Sequence, residues 1–217
     1  MSLYNNQVSG SVGRLADEVF SKLLADILSG KLPGGSIVQE RRLAEGLGVS
    51  RSPLRDALGR LEGQGLLVRN ARGILTIRIV TLEDYLNCLS LRLLIEPVTA
   101  SQACRKITQQ EIERLDHLLV ELEEQEEPAN DALWAFDDIL HDMLAKASGN
   151  PFAHRTIVEM RRHTSIFERH QLTGRSKPGT KDHRAIVDAL AHRDETQVAA
   201  LMKTHLEAIR STVLTHF

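Results

Sequence analysis

Val49-Ser50-Arg51-Ser52-Pro53-Leu54-Arg55-Asp56-Ala57-Leu58 decides the reading of this chain. Ser52 followed by Pro53 reads as a helix start: a serine side chain can accept from the open N–H groups, and proline is tolerated where its missing N–H is not needed. Arg51 and Arg55 flank the opening turn, away from an apolar face of Leu54, Ala57, Leu58 and Leu61. A helix with arginines at its N-terminal end is arranged to place them in a DNA groove.

Upstream, Leu15, Val19, Leu23 (or Leu24) and Ile27 recur at helical spacing from Arg14 and stop at Gly30. Leu32-Pro33-Gly34-Gly35 is a turn, and Glu40 to Leu47 is a short helix closed by Gly48. Downstream, the arginine-bearing helix stops near Gly63. Residues 66–69 and 74–80 then alternate as strands around a turn-forming tip, Asn70-Ala71-Arg72-Gly73. Helix, helix, short turn, helix and hairpin make a winged helix-turn-helix over residues 14–80. Residues 1–13 precede it as a polar arm that is expected to be flexible.

Any one of Arg41, Arg51, Arg55 and Arg72 is as readily a solvated surface residue as a DNA contact. Their joint placement shifts the balance: one at the second helix, two at the start of the third, one at the wing tip. Arg51 and Arg55 are assigned to base or near-base contacts, and Arg41 and Arg72 to phosphate or minor-groove contacts. Ser50 and Ser52 are expected both to cap the helix and to hydrogen-bond phosphate, and Gly73 shares the wing tip with Arg72. Phosphate contacts weaken with salt through counterion release, whereas a bidentate arginine on guanine discriminates sequence.

Composition fits two domains with different partners. Of 217 residues, 42% are hydrophobic and 26% charged, as a folded core requires, while only 4% are aromatic, which disfavours base-stacking platforms. Through Val80 the chain carries eleven Lys/Arg against seven Asp/Glu; the remainder is acidic and holds all nine histidines. No run approaches a membrane span and no secretory pattern opens the chain, so a cytoplasmic protein without membrane partners is expected. Cys88 and Cys104 show no metal or redox spacing and fit core thiols in a reducing compartment.

After Thr81 the pattern is helical to the end, so residues 81–217 read as an all-α bundle. Its six helices span about 82–104, 108–126, 130–147, 151–172, 180–193 and 195–215. Thr81 with Asp84 and Thr108 with Glu111 have capping-box spacing, Asn150-Pro151 is a cap followed by a first-position proline, and residues 173–179 form a polar loop. Asp137 and His141 share one helix face. His183 opens the fifth helix beside Ile186, Val187 and Leu190, and His205 lies within the sixth beside Leu201, Leu206 and Ile209. A lone histidine on an apolar face is more often a hydrogen-bonded core residue than a ligand, and Asp138 competes with Asp137 for the carboxylate role. Three inward imidazoles and a carboxylate nevertheless suit Zn²⁺, Ni²⁺ or Mn²⁺, with coordination positions left over. The remaining histidines, His117, His154, His163, His170, His192 and His216, lie on charged faces or at termini and are not expected to ligate.

Two resemblances bear on function. Gly30-Lys31-Leu32-Pro33-Gly34-Gly35, Glu40-Arg41-Arg42-Leu43-Ala44 and Gly48 to Leu58, followed by Leu61-Glu62 and Gly65-Leu66, resemble the GntR family of bacterial transcription regulators. Gly34 departs from that pattern, which usually has a second proline there. Asp137-x-x-x-His141, Ala147-Ser148-Gly149-Asn150-Pro151, His183-Arg184-Ala185-Ile186 and His205-Leu206 are similar to the metal-binding FCD-type effector domain of the FadR subfamily, with six helices pointing to its shorter, VanR-like variant. That similarity implies Asp137, His141, His183 and His205 as metal ligands. The family also has an Arg and a Glu at the spacing of Arg92 and Glu96; the plain reading is an i,i+4 salt bridge, the functional one a bundle-facing Arg92 that pairs with an effector carboxylate.

The resulting expectation is a mainly α, non-enzymatic transcription regulator, a repressor binding a pseudo-palindromic operator as a homodimer and controlled by a small carboxylate metabolite at the metal. Two alternatives remain open: a regulator that responds to the metal itself, and a metallohydrolase with an accessory DNA-binding head. The second lacks an H-e-x-x-H pattern and an obvious separate general base.

Overall fold

The computed structural model describes residues 5–171 and 180–217; residues 1–4 and 172–179, including the expected 173–179 loop, lie outside the described residues. The chain divides into two compact units, Met1–Leu82 with Ser165–Gln171, and Glu83–Thr164 with Leu172–Phe217.

In the first unit, α1 (Asn5–Leu28) packs against α3 (Arg51–Gly63), with α2 (Glu40–Leu47) alongside α3. Ala16, Val19, Phe20, Leu23 and Ile27 recur at three- and four-residue steps and are buried, as are Leu54, Ala57, Leu58 and Leu61 of α3. Leu23, not Leu24, takes the core position. Gly48 ends α2 at φ 65°, and its N–H reaches the carbonyls of Ala44 and Glu45.

The wing is an antiparallel pair, β1 (Leu67–Arg69) with β2 (Leu75–Ile77), in the register Leu67 to Ile77, Val68 to Thr76 and Arg69 to Leu75. Both strands are shorter than expected. Asn70 accepts from the backbone N–H of Arg72 (2.9 Å) and Ile74 (3.0 Å), and Gly73 at φ 75° closes the tip. Ile37 forms a bridge to Thr76, adding a third backbone segment that has too little alternation to be read as a strand.

Two expectations are corrected here. Residues 5–13, expected as flexible arm, continue α1 as helix; once the buried part has nucleated, each added residue gains a hydrogen bond for its own ordering alone. The N-cap of α3 is Ser50 rather than Ser52, and its hydroxyl makes no capping bond. Ser52 and Pro53 are the second and third helical residues, where the first four N–H groups have no intrahelical acceptor and the proline removes nothing.

The second unit is helical among its described residues: α4 (Leu82–Cys104), α5 (Gln109–Glu123), α6 (Asn130–Ala147), α7 (Pro151–Gln171), α8 (Thr180–Ala191) and α9 (Glu195–His216). The last seven residues of α7 group with the first unit. Thr108 and Glu111 form the expected reciprocal capping box. Asn150 accepts from the N–H groups of Phe152 and Ala153, both at 3.1 Å, ahead of the first-position Pro151. α5 packs on α6 and α8, and α8 on α9. Leu89, Leu115, Leu119, Leu140, Ile186, Leu190, Val198 and Leu206 are fully buried, and Asp194 caps α9 by accepting from Gln197 N–H at 2.9 Å.

Leu115→Ala removes a fully buried side chain and is expected to cost about 2–5 kcal/mol. A urea titration followed by circular dichroism checks this; a loss well under 1 kcal/mol would contradict the core assignment.

Candidate metal centre and nucleic-acid interface

Asp137 and His141 face the bundle interior from α6, His183 from the first turns of α8 and His205 from the middle of α9. Their exposures are 5%, 1%, 1% and 3%, so all four are out of water. One candidate ligand atom from each lies within 4.8 Å of those from the others. His183 Nε2 is 3.0 Å from Asp137 Oδ1, His141 Nε2 3.6 Å and His205 Nε2 3.9 Å. Donors ~2.0–2.2 Å from a common ion sit roughly 3–3.5 Å apart, close to these separations.

His141 Nε2 and both ring nitrogens of His205 are buried without a hydrogen-bond partner. Buried polar atoms are ordinarily paired. Of these nitrogens, the Nε2 atoms of His141 and His205 face Asp137 Oδ1 and fit a cation beside it, while His205 Nδ1 lies 3.7 Å from Asp182 Oδ2. Burial pushes the His205 imidazole down to about 4, so the ring is neutral near pH 7, the form in which histidine ligates.

Further residues orient these four. His141 Nδ1 donates to the Glu96 carboxylate, which leaves the Nε2 lone pair for the centre. Glu96 accepts in turn from Arg92 Nε at 2.5 Å. Burial would raise the Glu96 carboxyl, but Arg92 and His141 outweigh it and hold the group well below the usual carboxylate range. Arg161 donates to Asp137 Oδ2 at 2.7 Å and to Asp138 Oδ1 at 2.6 Å, leaving Asp137 Oδ1 toward the imidazoles. Asp137 is likewise held well below its ordinary value: burial opposes ionisation, and Arg161, the His183 hydrogen bond and the nearby His141 imidazole overcome it. Asp138, the competing carboxylate, is 44% exposed at its side chain and pairs outward with Arg161.

Arg92 is buried. It is an i,i+4 partner of Glu96, and it faces inward, donating from Nη1 to Thr164 Oγ1 at 2.9 Å while Nη2 is buried without a partner. Arg161 escaped the sequence reading. Its signal was the step Ile157, Arg161, Thr164 and Glu168, a buried helical stripe that turns polar. His163 is also buried, against expectation, and bonds the Glu159 carbonyl of its own helix. His154 pairs with Asp142, His192 with the Asp188 carbonyl and His170 with the Leu28 carbonyl. Among the described residues, the four-residue cluster contains none of these.

On the first unit, Arg41, Ser50, Arg51, Ser52, Arg55, Arg72 and Gly73 are all exposed. Arg41 Nε donates to Glu45 on its own helix, and Arg55 Nε donates to Glu40 across from α2, each at 2.9 Å. Sequence reasoning missed Glu40.

A winged helix-turn-helix followed by a helical bundle is the build of a DNA-binding regulator. The chain belongs to the GntR family of bacterial regulatory proteins and carries its FCD domain: the gntR family description matches residues 15–75 and the FCD domain residues 87–208. It is 29% identical over 178 residues to the Nta operon transcriptional regulator of Aminobacter aminovorans, covering 80% of this chain and 82% of that one. It is 26% identical over 215 residues to an HTH-type transcriptional regulator of Bacillus subtilis, covering 92% and 90%. In fold it is similar to E. coli McbR/YncC (TM-score 0.78, 19% identity, 93% and 98% covered) and to a GntR regulator of Rhodococcus sp. RHA1 (0.72, 20%, 93% and 98%). The protein is thus a DNA-binding transcription regulator, and its relatives are regulators, not enzymes. No described helix is long and apolar enough to cross a membrane.

Arg161→Ala leaves the Asp137 carboxylate buried without its guanidinium. Metal-free protein carrying it is expected to lose about 3–5 kcal/mol of stability, read by denaturant titration. An unchanged midpoint would show that Arg161 does not compensate that charge.

Proposed function

We propose that the protein is a cytoplasmic repressor whose operator affinity is set by a small carboxylate metabolite bound at a divalent metal in the FCD domain. The observation that carries the reading is the convergence of unpartnered, buried imidazole nitrogens on Asp137 Oδ1. Asp137, His141, His183 and His205 would hold Zn²⁺, Ni²⁺ or Mn²⁺. Such an ion supplies a Lewis-acidic position for a carboxylate oxygen. Arg92 adds a fixed guanidinium whose free Nη2 can pair with the same class of ligand.

Arg51 and Arg55 would reach base edges, Arg41 and Arg72 the phosphates or minor groove, with Ser50, Ser52 and the Gly73 tip against the backbone. A single winged helix reads one half-site, so a pseudo-palindromic operator calls for a homodimer. An apolar strip on α4 supports self-association: Leu91, Leu94 and Val98 are 44%, 72% and 55% exposed.

Purified protein is expected to retain about one divalent ion per chain, and His183→Ala with His205→Ala to lose it. DNA selected from a random pool should be palindromic, and one member of a carboxylate panel should change its affinity only when the histidines are intact. A palindrome whose affinity follows metal but no acid would make the metal itself the effector. A palindrome indifferent to both would make the histidines structural and overturn the proposal. Glu96→Gln is expected to weaken metal binding by about 10–100-fold through loss of His141 orientation, measured by competition with a chelating dye; unchanged affinity would remove Glu96 from the centre.

A further inference from the structure

Glu40 opens α2, and Arg55 lies in the second turn of α3, fifteen positions later. Arg55 donates through Nε to Glu40 Oε2 at 2.9 Å. Among the described residues, its Nη1 and Nη2 have no partner within the protein. Arg51, one turn earlier, has no such buttress, and Arg41 pairs with Glu45 on its own helix.

A carboxylate on a DNA-facing surface works against affinity, because phosphates repel it. An exposed ion pair adds little stability. What the pair does supply is orientation. A free arginine loses rotamer freedom when it docks, and here a bond from a different helix already restricts the side chain. The bond uses Nε, the atom a guanidinium would need for a side-on pair. The two terminal nitrogens remain, coplanar and with parallel N–H groups, matching the O6 and N7 acceptors of guanine.

We propose that Glu40 is a positioning residue for sequence readout, holding Arg55 so that Nη1 and Nη2 together recognise one guanine in each operator half-site. The inference rests on Arg55 reading the operator. Glu40 acts through Arg55, and its contribution is to discrimination between bases, not to total affinity.

The test is fluorescence anisotropy on the selected operator, its single-base variants and non-specific DNA. It compares the full chain with Glu40→Gln, Glu40→Ala, Arg55→Ala and the Glu40→Ala/Arg55→Ala double variant, each checked for an unchanged melting curve. Arg55→Ala is expected to abolish the preference for guanine at one position. Glu40→Ala should reduce that preference by about ten-fold, and Glu40→Gln by less, because the amide oxygen still accepts but without its charge. Both Glu40 variants should bind non-specific DNA as tightly as the parent or more tightly. In the Arg55→Ala background, Glu40→Ala should change base preference no further. If Arg55→Ala loses the preference and Glu40→Ala keeps it, the positioning role is overturned while the arginine readout survives. If Glu40→Ala alters preference equally without Arg55, Glu40 reads a base directly and the inference is overturned. If Arg55→Ala itself leaves preference intact, the underlying readout fails and the inference with it.

Discussion

A single carboxylate governs the second unit. Asp137 is ionised and 5% exposed inside a helical bundle, a placement that costs several kcal/mol unless the charge is met on every side. Arg161 meets it through Oδ2, and imidazoles from α6, α8 and α9 surround Oδ1. Three helices therefore bring their polar groups to one point, and the apolar residues flanking each group pack around it. The chain Arg92, Glu96, His141 extends the arrangement, alternating cation, anion and imidazole so that each group orients the next. A guanidinium alone would neutralise Asp137. It would not explain why His141 and His205 turn unpaired nitrogens toward the same place.

The DNA-binding unit works by different physics. Its candidate DNA-contact side chains are exposed, and among the described residues its interior is an apolar helix packing with no buried charge cluster comparable to that around Asp137. Such a surface reads DNA through orientation and charge. The bundle is built to take up charge away from water. Separate environments thus set an exposed DNA-binding surface and a buried polar centre in one chain.

How much of this was legible follows from the range of each interaction. The helices were readable because their apolar steps and caps are local: Thr108 with Glu111, Asn150 before Pro151, and Gly48 at φ 65° all behave as their spacing requires. The four residues that meet in the bundle were readable one by one, since each sits beside apolar neighbours, yet their meeting came only from family resemblance. Arg161 and the Glu96–His141 bond were not readable, because their partners lie 24 and 45 positions away and no local period encodes the pairing. Ser52 was misplaced as the cap because Ser50 and Ser52 are equally good cap residues two positions apart. The bridge from Ile37 was missed because one paired residue leaves no alternation to see.

The central claim is that occupancy of the buried centre and grip on the operator are coupled. Coupling is reciprocal: whatever factor the ligand imposes on DNA affinity, DNA must impose on ligand affinity. The most direct measurement is calorimetric titration of the responsive carboxylate into metal-loaded protein, free and saturated with operator. A repressor released by its ligand predicts at least about five-fold weaker carboxylate binding on the DNA complex, by the same factor that the carboxylate weakens operator binding. Equal affinities in the two titrations would contradict the coupling and reduce the bundle's polar centre to a structural feature.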